Sequence, residues 1–294
     1  MPDPTKEMLR WRKDETLAET IDSKKGGKML NKEEIKIQPN VWVPLPLDMP
    51  EYGIRAPNQL RRPRTLFCPS MTGRLHVGNA FVLWAVKKYA LARGLDWGVR
   101  YELGCAQLEP QLPSFLGALY NALERFNSRN IMIYCQGQRN ARYWDVINEV
   151  IRRGLATWRT LTYLWDDQRP EGFVANVVDQ VDFNEVLRIR GFDLFFLERV
   201  ENLFRDILRH IWPELVGDLR VEYIYMPLIA DQEGVILSKS LKPDSAYWFQ
   251  NWLPGASEGE IDQIFSGWPL SQGHWATSRI LWINPEGKVL KQIG

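Results

Sequence analysis

Cysteine is scarce. The 294 residues contain three, Cys68, Cys105 and Cys135, far apart and odd in number. They form no CxxC pair and no Cys/His cluster able to supply four zinc ligands, so neither a disulfide framework nor a zinc site is expected. Excess charge is scarce too. Lys and Arg number 37 against 36 Asp and Glu, which leaves +1. That argues against a strong generic pull toward nucleic acid, though a local basic groove remains compatible with it. No uncharged run approaches the roughly 20 apolar residues needed to span a bilayer. The N-terminus is polar and charged and lacks a signal-peptide pattern. The expectation is a reduced, cytoplasmic protein without a membrane partner.

What is present is an alternation of strand-like and helix-like segments. Residues 1 to about 60 form a charged extension and a proline-punctuated connector, VWVPLPLDMPEYGIRAP. From Arg64 the texture changes. RTLFC reads as a buried strand, and Ala80 to Arg93 as a mostly apolar helix stopped by Gly94. DWGVRYEL (96–103) and NIMIYC (130–135) read as strands, LPSFLGALYNALERF (112–126) and NARYWDVINEVIRRG (140–154) as helices. ANVVDQV, LRIRGFDL, the helix FFLERVENLFRDILRHIW and VEYIYMPLI form a second such stretch. This alternation predicts an α/β, doubly wound parallel sheet. Its halves fall at 61–163 and 164–245, with a small, mostly helical C-terminal cap over 246–294. Thirteen tryptophans point to a bulky core or an aromatic-lined cleft.

In a doubly wound sheet, ligands bind beyond the carboxyl ends of the strands. The stretch PSMTGRLHVGN (69–79) falls at such an end. Gly73 and Gly78 remove Cβ bulk where a ligand could approach the backbone. A helix beginning near Gly78 presents N–H groups and a partial positive charge to an anion, and His76 adds a donor. The spacing fits neither G-x-G-x-x-G nor G-x-x-x-x-G-K-[ST]. By themselves these residues suit a nucleotide phosphate and equally an ordinary strand-to-helix turn.

Pro69 to Asn79 resembles the "HIGH" stretch of class I aminoacyl-tRNA synthetases, in the form PSPTG-x-LH-x-G of the glutamyl/glutaminyl group. A second family feature, a KMSKS-like loop, has its counterpart in Ile236-Leu237-Ser238-Lys239-Ser240. QGQR (136–139) is similar to the family's QSER, ANVVDQ (175–180) to its ANVVDD, and RIRGFDL (188–194) to its IRGEDHL. The likeness covers roughly residues 64–245 and implies a Rossmann-like core. It implies attack of an amino-acid carboxylate on the α-phosphate of ATP, giving an aminoacyl adenylate and pyrophosphate, with Mg²⁺ bridging the phosphates. His76, Lys239, Ser238 and Ser240 would be the catalytic groups. Ser70, Thr72, Gly73, Gly78 and Asn79 would bind ATP, with adenine over the helix that begins near Asn79. Glu102, Phe173, Asn176 and Arg190 would bind the amino acid. For Glu102 and Arg190 the plainer alternatives are a strand-end surface carboxylate and an ion pair, the latter with Asp193.

The sequence departs from the family in several places. Ile236 replaces the first lysine of KMSKS. Leu66 stands where the family has an arginine that reads glutamate, and Arg64, on the same strand face, would be displaced by about 6–7 Å. Phe173 replaces a tyrosine. The acceptor-stem insertion expected after Gly154 is nearly absent, with LATWRTLTYLW (155–165) in its place, and an anticodon-reading domain has no room after Ser240. The resemblance therefore implies a minimal core. It would activate glutamate or a relative and pass it to a small molecule, a carrier protein or a peptide rather than a conventionally read tRNA. Two other functions fit the same residues: tRNA-directed aminoacylation, including glutamylation of a modified base, and a catalytically impaired nucleotide-binding regulator.

Overall fold

A computed structural model of the chain describes residues 63–69, 74–101, 112–128, 131–157, 170–237, 245–268 and 280–293. Ser70, Thr72, Gly73, Glu102, Ser238, Lys239 and Ser240 lie outside the described residues, as do the N-terminal extension and connector.

Five short, mostly buried strands build the main sheet: β1 (Thr65–Phe67), β2 (Trp97–Tyr101), β3 (Met132–Cys135), β4 (Leu187–Gly191) and β5 (Glu222–Met226). Their order is β3-β2-β1-β4-β5 and every pairing is parallel. The chain moves outward from β1 through β2 to β3, then returns to start again at β4 on the other side. The order therefore reverses between β1 and β4, the expected ligand crevice of such a sheet. The expected doubly wound α/β architecture is what the chain adopts.

Helix α1 (Val77–Ala92) starts three residues earlier than its apolar run suggests. His76 is its N-cap, with extended backbone, and its carbonyl accepts from the N–H groups of Asn79 and Ala80 at 2.9 and 3.1 Å. The remaining helices of the main fold are α2 (Leu112–Arg125), α3 (Asn140–Arg152), α4 (Pro170–Asp182), α5 (Leu197–Ile211) and the single turn α6 (Pro213–Val216). ANVVDQV lies within α4, which opens on Pro170, a residue whose fixed φ suits a first helical position.

The alternation along the strands gives the sheet two unlike faces. Phe67, Val99, Cys135, Ile189 and Met226 point into an apolar core with α1 and α2. The other face carries Leu66, Arg100, Tyr134, Arg188, Arg190, Tyr223 and Tyr225, and α3, α4 and α5 cover it. Its middle is a buried polar layer, not an apolar one.

Pro227 follows β5, and the chain then changes sheets. β6 (Leu228–Ala230) pairs in parallel with β7 (Ile280–Ile283), which pairs antiparallel with β8 (Val289–Ile293). The described C-terminal residues hold one nine-residue helix, α7 (Glu258–Ser266), beside strands β7 and β8. The expected mostly helical cap is thus a mixed one, because ILWI extends β6 sideways into a second small sheet. Its aromatic residues enter the core. Phe81 of α1 meets Phe265 and Trp268 at ring separations of 5.1 and 4.7 Å, and Trp252 stacks on Phe265 at 5.3 Å. Of the two uses foreseen for the tryptophans, these serve as core. No helix among the described residues is long and apolar enough to cross a membrane.

Candidate active site

His76, Gly78 and Asn79 come together at the start of α1. The Asn79 side-chain oxygen accepts from the His76 backbone N–H at 3.3 Å. The imidazole lies against Gly78: a Cβ built there would sit 3.1 Å from both Cε1 and Nδ1 of His76, and 3.3 Å from Cγ1 of Ile229. Absence of a side chain at residue 78 is what allows the ring and the β6 strand to approach. His76 itself is 8 % exposed.

Two segments distant in sequence reach this point. On one side, β6 runs into a turn organised by Asp231, whose carboxylate accepts from the N–H groups of Glu233 and Val235 at 3.1 and 2.8 Å. The chain then doubles back, pairing Ile236 with Ala230 and donating from Leu237 N–H to Ile229 O at 2.7 Å. On the other side, Trp248 forms an antiparallel bridge with His76, and Phe249 N–H donates to Leu75 O at 3.0 Å. Arg125 of α2 fixes this second segment. Its guanidinium donates to the carbonyls of Phe249, Trp252 and Leu253 at 2.6, 3.0 and 3.0 Å, and lies 4.4 Å from the Phe249 ring centroid. The sequence Ser238–Asp244 thus runs between two segments that both pack against the start of α1.

Asn176 and Arg190 also meet, through a residue that the motifs do not single out. Glu201 of α5 is fully buried and receives four hydrogen bonds. Arg190 Nη1 and Asn176 Nδ2 donate to one oxygen at 2.9 and 3.0 Å. Tyr223 Oη and Gln180 Nε2 donate to the other at 2.8 and 3.2 Å. Burial opposes ionisation of Glu201, but Arg190 and Arg188 outweigh it and hold the carboxyl at about 2. Burial likewise opposes the Arg190 charge, and Glu201 with the Tyr225 and Tyr223 phenols more than restores it. The guanidinium lies over the Tyr223 ring at 4.8 Å. Arg190 therefore is in an ion pair, but with Glu201 and not with Asp193.

The neighbouring arginines on this face are paired too. Arg188 donates to Glu185 at 2.6 Å and to the Cys68 sulfur at 3.3 Å, across the β1–β4 crevice. Arg100 donates to Asp179 at 2.8 Å, and Asp179 also accepts from Tyr134 at 2.7 Å and Tyr143 at 3.1 Å. Arg139, the last residue of QGQR, lies 3.1 Å from Asp179 and also pairs with Asp182. That motif thus fastens the end of β3 to α4. Phe173 joins neither cluster. It is fully buried against Phe204, with ring centroids 5.3 Å apart, in the core between α4 and α5. Leu66 is sealed among Met132, Tyr134 and Phe183. Arg64 donates to Asn184 O at 3.3 Å, at the opposite, amino-terminal edge of the sheet, so it does not stand in for the family arginine.

A signal for this buried layer is visible in the sequence. LRIRG places two arginines on one strand face. The buried stripe of α5 (Leu197, Glu201, Phe204, Arg205, Leu208) puts two charged residues among apolar ones. A charge on a buried stripe needs a partner. Sequence spacing does not say which one. Among the described residues no group of three or more His, Cys, Asp or Glu could hold a metal ion.

No family model matches the chain, and no curated protein matches it. Solved structures of several aminoacyl-tRNA synthetases are similar to part of it. A glutamate tRNA ligase from Elizabethkingia meningosepticum is 17 % identical over 61 % of this chain, with a TM-score of 0.43. A tyrosyl-tRNA synthetase from Archaeoglobus fulgidus is 12 % identical over 71 % of this chain and 72 % of its own, with a TM-score of 0.46. A tryptophanyl-tRNA synthetase from Campylobacter jejuni is 18 % identical over 61 % of this chain and 60 % of its own, with a TM-score of 0.40. The matched region spans 52 % of the glutamate tRNA ligase, about half its length.

Proposed function

We propose that this chain is an amino-acid-activating ligase core that joins an amino-acid carboxylate to the α-phosphate of ATP and releases pyrophosphate. The observation that carries the proposal is the meeting at the start of α1. His76 is bridged to Trp248, Gly78 touches Ile229, and the sequence between Leu237 and Ser245 contains Ser238, Lys239 and Ser240. The described segments on either side of Ser238–Asp244 in sequence both reach the start of α1, and this supports the pairing of two stretches that lie about 160 residues apart.

The reaction asks little covalent chemistry of the protein. It asks for alignment of the attacking carboxylate and for positive charge where the phosphate oxygens gain negative charge. In this proposal His76 and the first turn of α1 meet the triphosphate from one side, where the helix dipole favours an anion. Ser70, Thr72 and Gly73, which precede this helix in sequence, are assigned to the same nucleotide. Lys239, two residues beyond Leu237, supplies the opposing charge, with Ser238 and Ser240 as hydroxyl donors. Mg²⁺ arrives on the phosphates as part of the nucleotide substrate. Asn176, Arg190 and Glu102 are assigned to the amino acid. Its acceptor in the second step is assigned to a small molecule, a carrier protein or a peptide, ahead of tRNA.

Amino-acid-dependent exchange of pyrophosphate into ATP, run with every amino acid and without tRNA, tests this directly. Exchange with at least one amino acid is expected. Lys239→Ala and His76→Ala should each slow it more than tenfold, a loss above about 1.4 kcal/mol of barrier stabilisation. Exchange that appears only when tRNA is added favours tRNA-directed aminoacylation. ATP binding without exchange under either condition favours a regulatory relative.

A further inference from the structure

We infer that Glu201 is the positioning residue of this site: it fastens one end of the Arg190 guanidinium so that the opposite edge, Nε and Nη2, takes a carboxylate of the amino-acid substrate. The inference deepens the activation proposal and rests on it. Arg190 is the last residue but one of β4, at the carboxyl edge of the sheet beside the reversal between β1 and β4. Its Nη1 donates to Glu201 at 2.9 Å. Its Nε and Nη2 are buried and make no hydrogen bond. Those two nitrogens form one fork of the guanidinium, the two-point geometry that matches a carboxylate. The neighbouring Tyr225 phenol donates to Glu198 at 2.7 Å instead. Arg188 and Arg205 on the same face differ: each uses both terminal nitrogens and leaves only Nε unbonded. A whole unbonded edge held out of water is destabilising unless a ligand uses it.

The charge of the layer points the same way. Among the described residues five buried arginines stand against three buried carboxylates, Asp179, Glu185 and Glu201. Arg142 and Asp182 at the rim pair with each other and leave that excess as it is. An anion at Arg190 therefore offsets a surplus of buried positive charge, even with Glu201 on the far side of the guanidinium. Glu201 is itself held fast. It has no exposed surface, and each of its oxygens accepts two hydrogen bonds. Tyr223, one of those donors, in turn accepts from Arg205 at 2.8 Å, and its ring lies 4.8 Å from the Arg190 guanidinium. Glu201 thus sets the direction of the guanidinium and Tyr223 its plane. Two-point recognition of a carboxylate that must then attack phosphorus needs both.

Pyrophosphate exchange with the amino acid that the wild-type protein uses best gives separate KM values for that amino acid and for ATP. Glu201→Ala should raise the amino-acid KM at least about tenfold and leave the ATP KM within about twofold. Glu201→Gln keeps an oxygen for Arg190 Nη1 and should bring the amino-acid KM back to within about threefold of wild type. Partial unfolding lowers the maximal rate and moves neither KM. In an Arg190→Ala background Glu201→Ala should add nothing to the amino-acid KM, because it acts through the guanidinium. The amino alcohol of the same substrate lacks the α-carboxylate and competes with it. An inhibition constant unmoved by Glu201→Ala assigns the edge to the α-carboxylate. One that rises with the KM assigns it to a side-chain carboxylate when the substrate is acidic, and overturns the inference when it is not. An unchanged or lowered amino-acid KM in folded Glu201→Ala, or a further rise in the Arg190→Ala background, would overturn the inference and leave the activation proposal standing. If Glu201→Ala does not fold, Tyr223→Phe removes one donor from Glu201 and keeps the ring beside Arg190. It should raise the amino-acid KM about threefold, and an unchanged KM overturns the inference. Exchange with no amino acid, with or without tRNA, would overturn the activation proposal and this inference with it.

Discussion

Gly78→Ala separates the stability of helix α1 from the position of His76. The new methyl carbon would lie 3.1 Å from two imidazole atoms and 3.3 Å from Ile229 Cγ1. Carbon contacts are comfortable at about 3.5–4.0 Å, so the ring must yield by roughly half an ångström. Helix propensity acts the other way and favours alanine by up to about 1 kcal/mol. The two effects nearly cancel in stability, and the melting temperature should change by less than about 4 °C. They do not cancel in catalysis. A misplacement of about 1 Å costs on the order of a hundredfold, so half that should slow pyrophosphate exchange about tenfold. Gly94→Ala is the control. Gly94 has φ +62 and open space around its Cβ position. Alanine there should cost about 1 kcal/mol through the left-handed backbone alone and leave exchange unchanged in the folded fraction. Exchange and melting temperature measured on both variants give the comparison. A Gly78→Ala protein with full exchange activity would refute the idea that the ring position of His76 matters to the reaction.

Two further outcomes follow from the buried polar layer. Asp179→Ala leaves Arg100 and Arg139 without their shared carboxylate and should cost about 3–5 kcal/mol, a fall in melting temperature on the order of 10 °C. A fall no larger than that of a surface substitution would show that the layer is hydrated. Glu201 gives the second outcome, in acid. Its carboxyl titrates at about 2 in the folded protein against 4.5 ordinarily. Its contribution is therefore complete above pH 4.5 and is lost as pH falls toward 2, up to about 3 kcal/mol in all. Urea unfolding at pH 6, 4.5 and 3 should show that slope in the wild type and a shallower one in Glu201→Gln. Equal slopes would mean that Glu201 is not held ionised by its partners.

Much of the fold was legible because periodicity is local. Strand-length apolar runs ending in turns, and helices stopped at Gly94 and Gly154, put β1 to β3 and α1 to α3 within a few residues of their places. The small errors have local causes. His76 caps α1, so that helix starts before its apolar stripe. Pro227 ends β5 and sends VEYIYMPLI into two sheets instead of one strand. The C-terminal cap is mixed and not mostly helical because ILWI is a strand only by virtue of pairing with β6, about 50 residues earlier in sequence.

The sequence by itself determined the alternation of strands and helices, the glycine-bearing turn with His76 and Gly78, and the presence of a second, lysine-bearing stretch ending at Ser240. Each of these depends on neighbouring residues or on residue type alone. Only the tertiary structure decided which distant groups meet. It brought Trp248 to His76 and Ile229 to Gly78, and it gave Arg190 to Glu201 instead of Asp193. It buried Phe173 away from both clusters and sealed Leu66 in the sheet. Pairing of this kind depends on which helix covers which strand face. Buried charges then take the nearest partner that the packing supplies, because leaving one unpaired costs more than most single contacts provide.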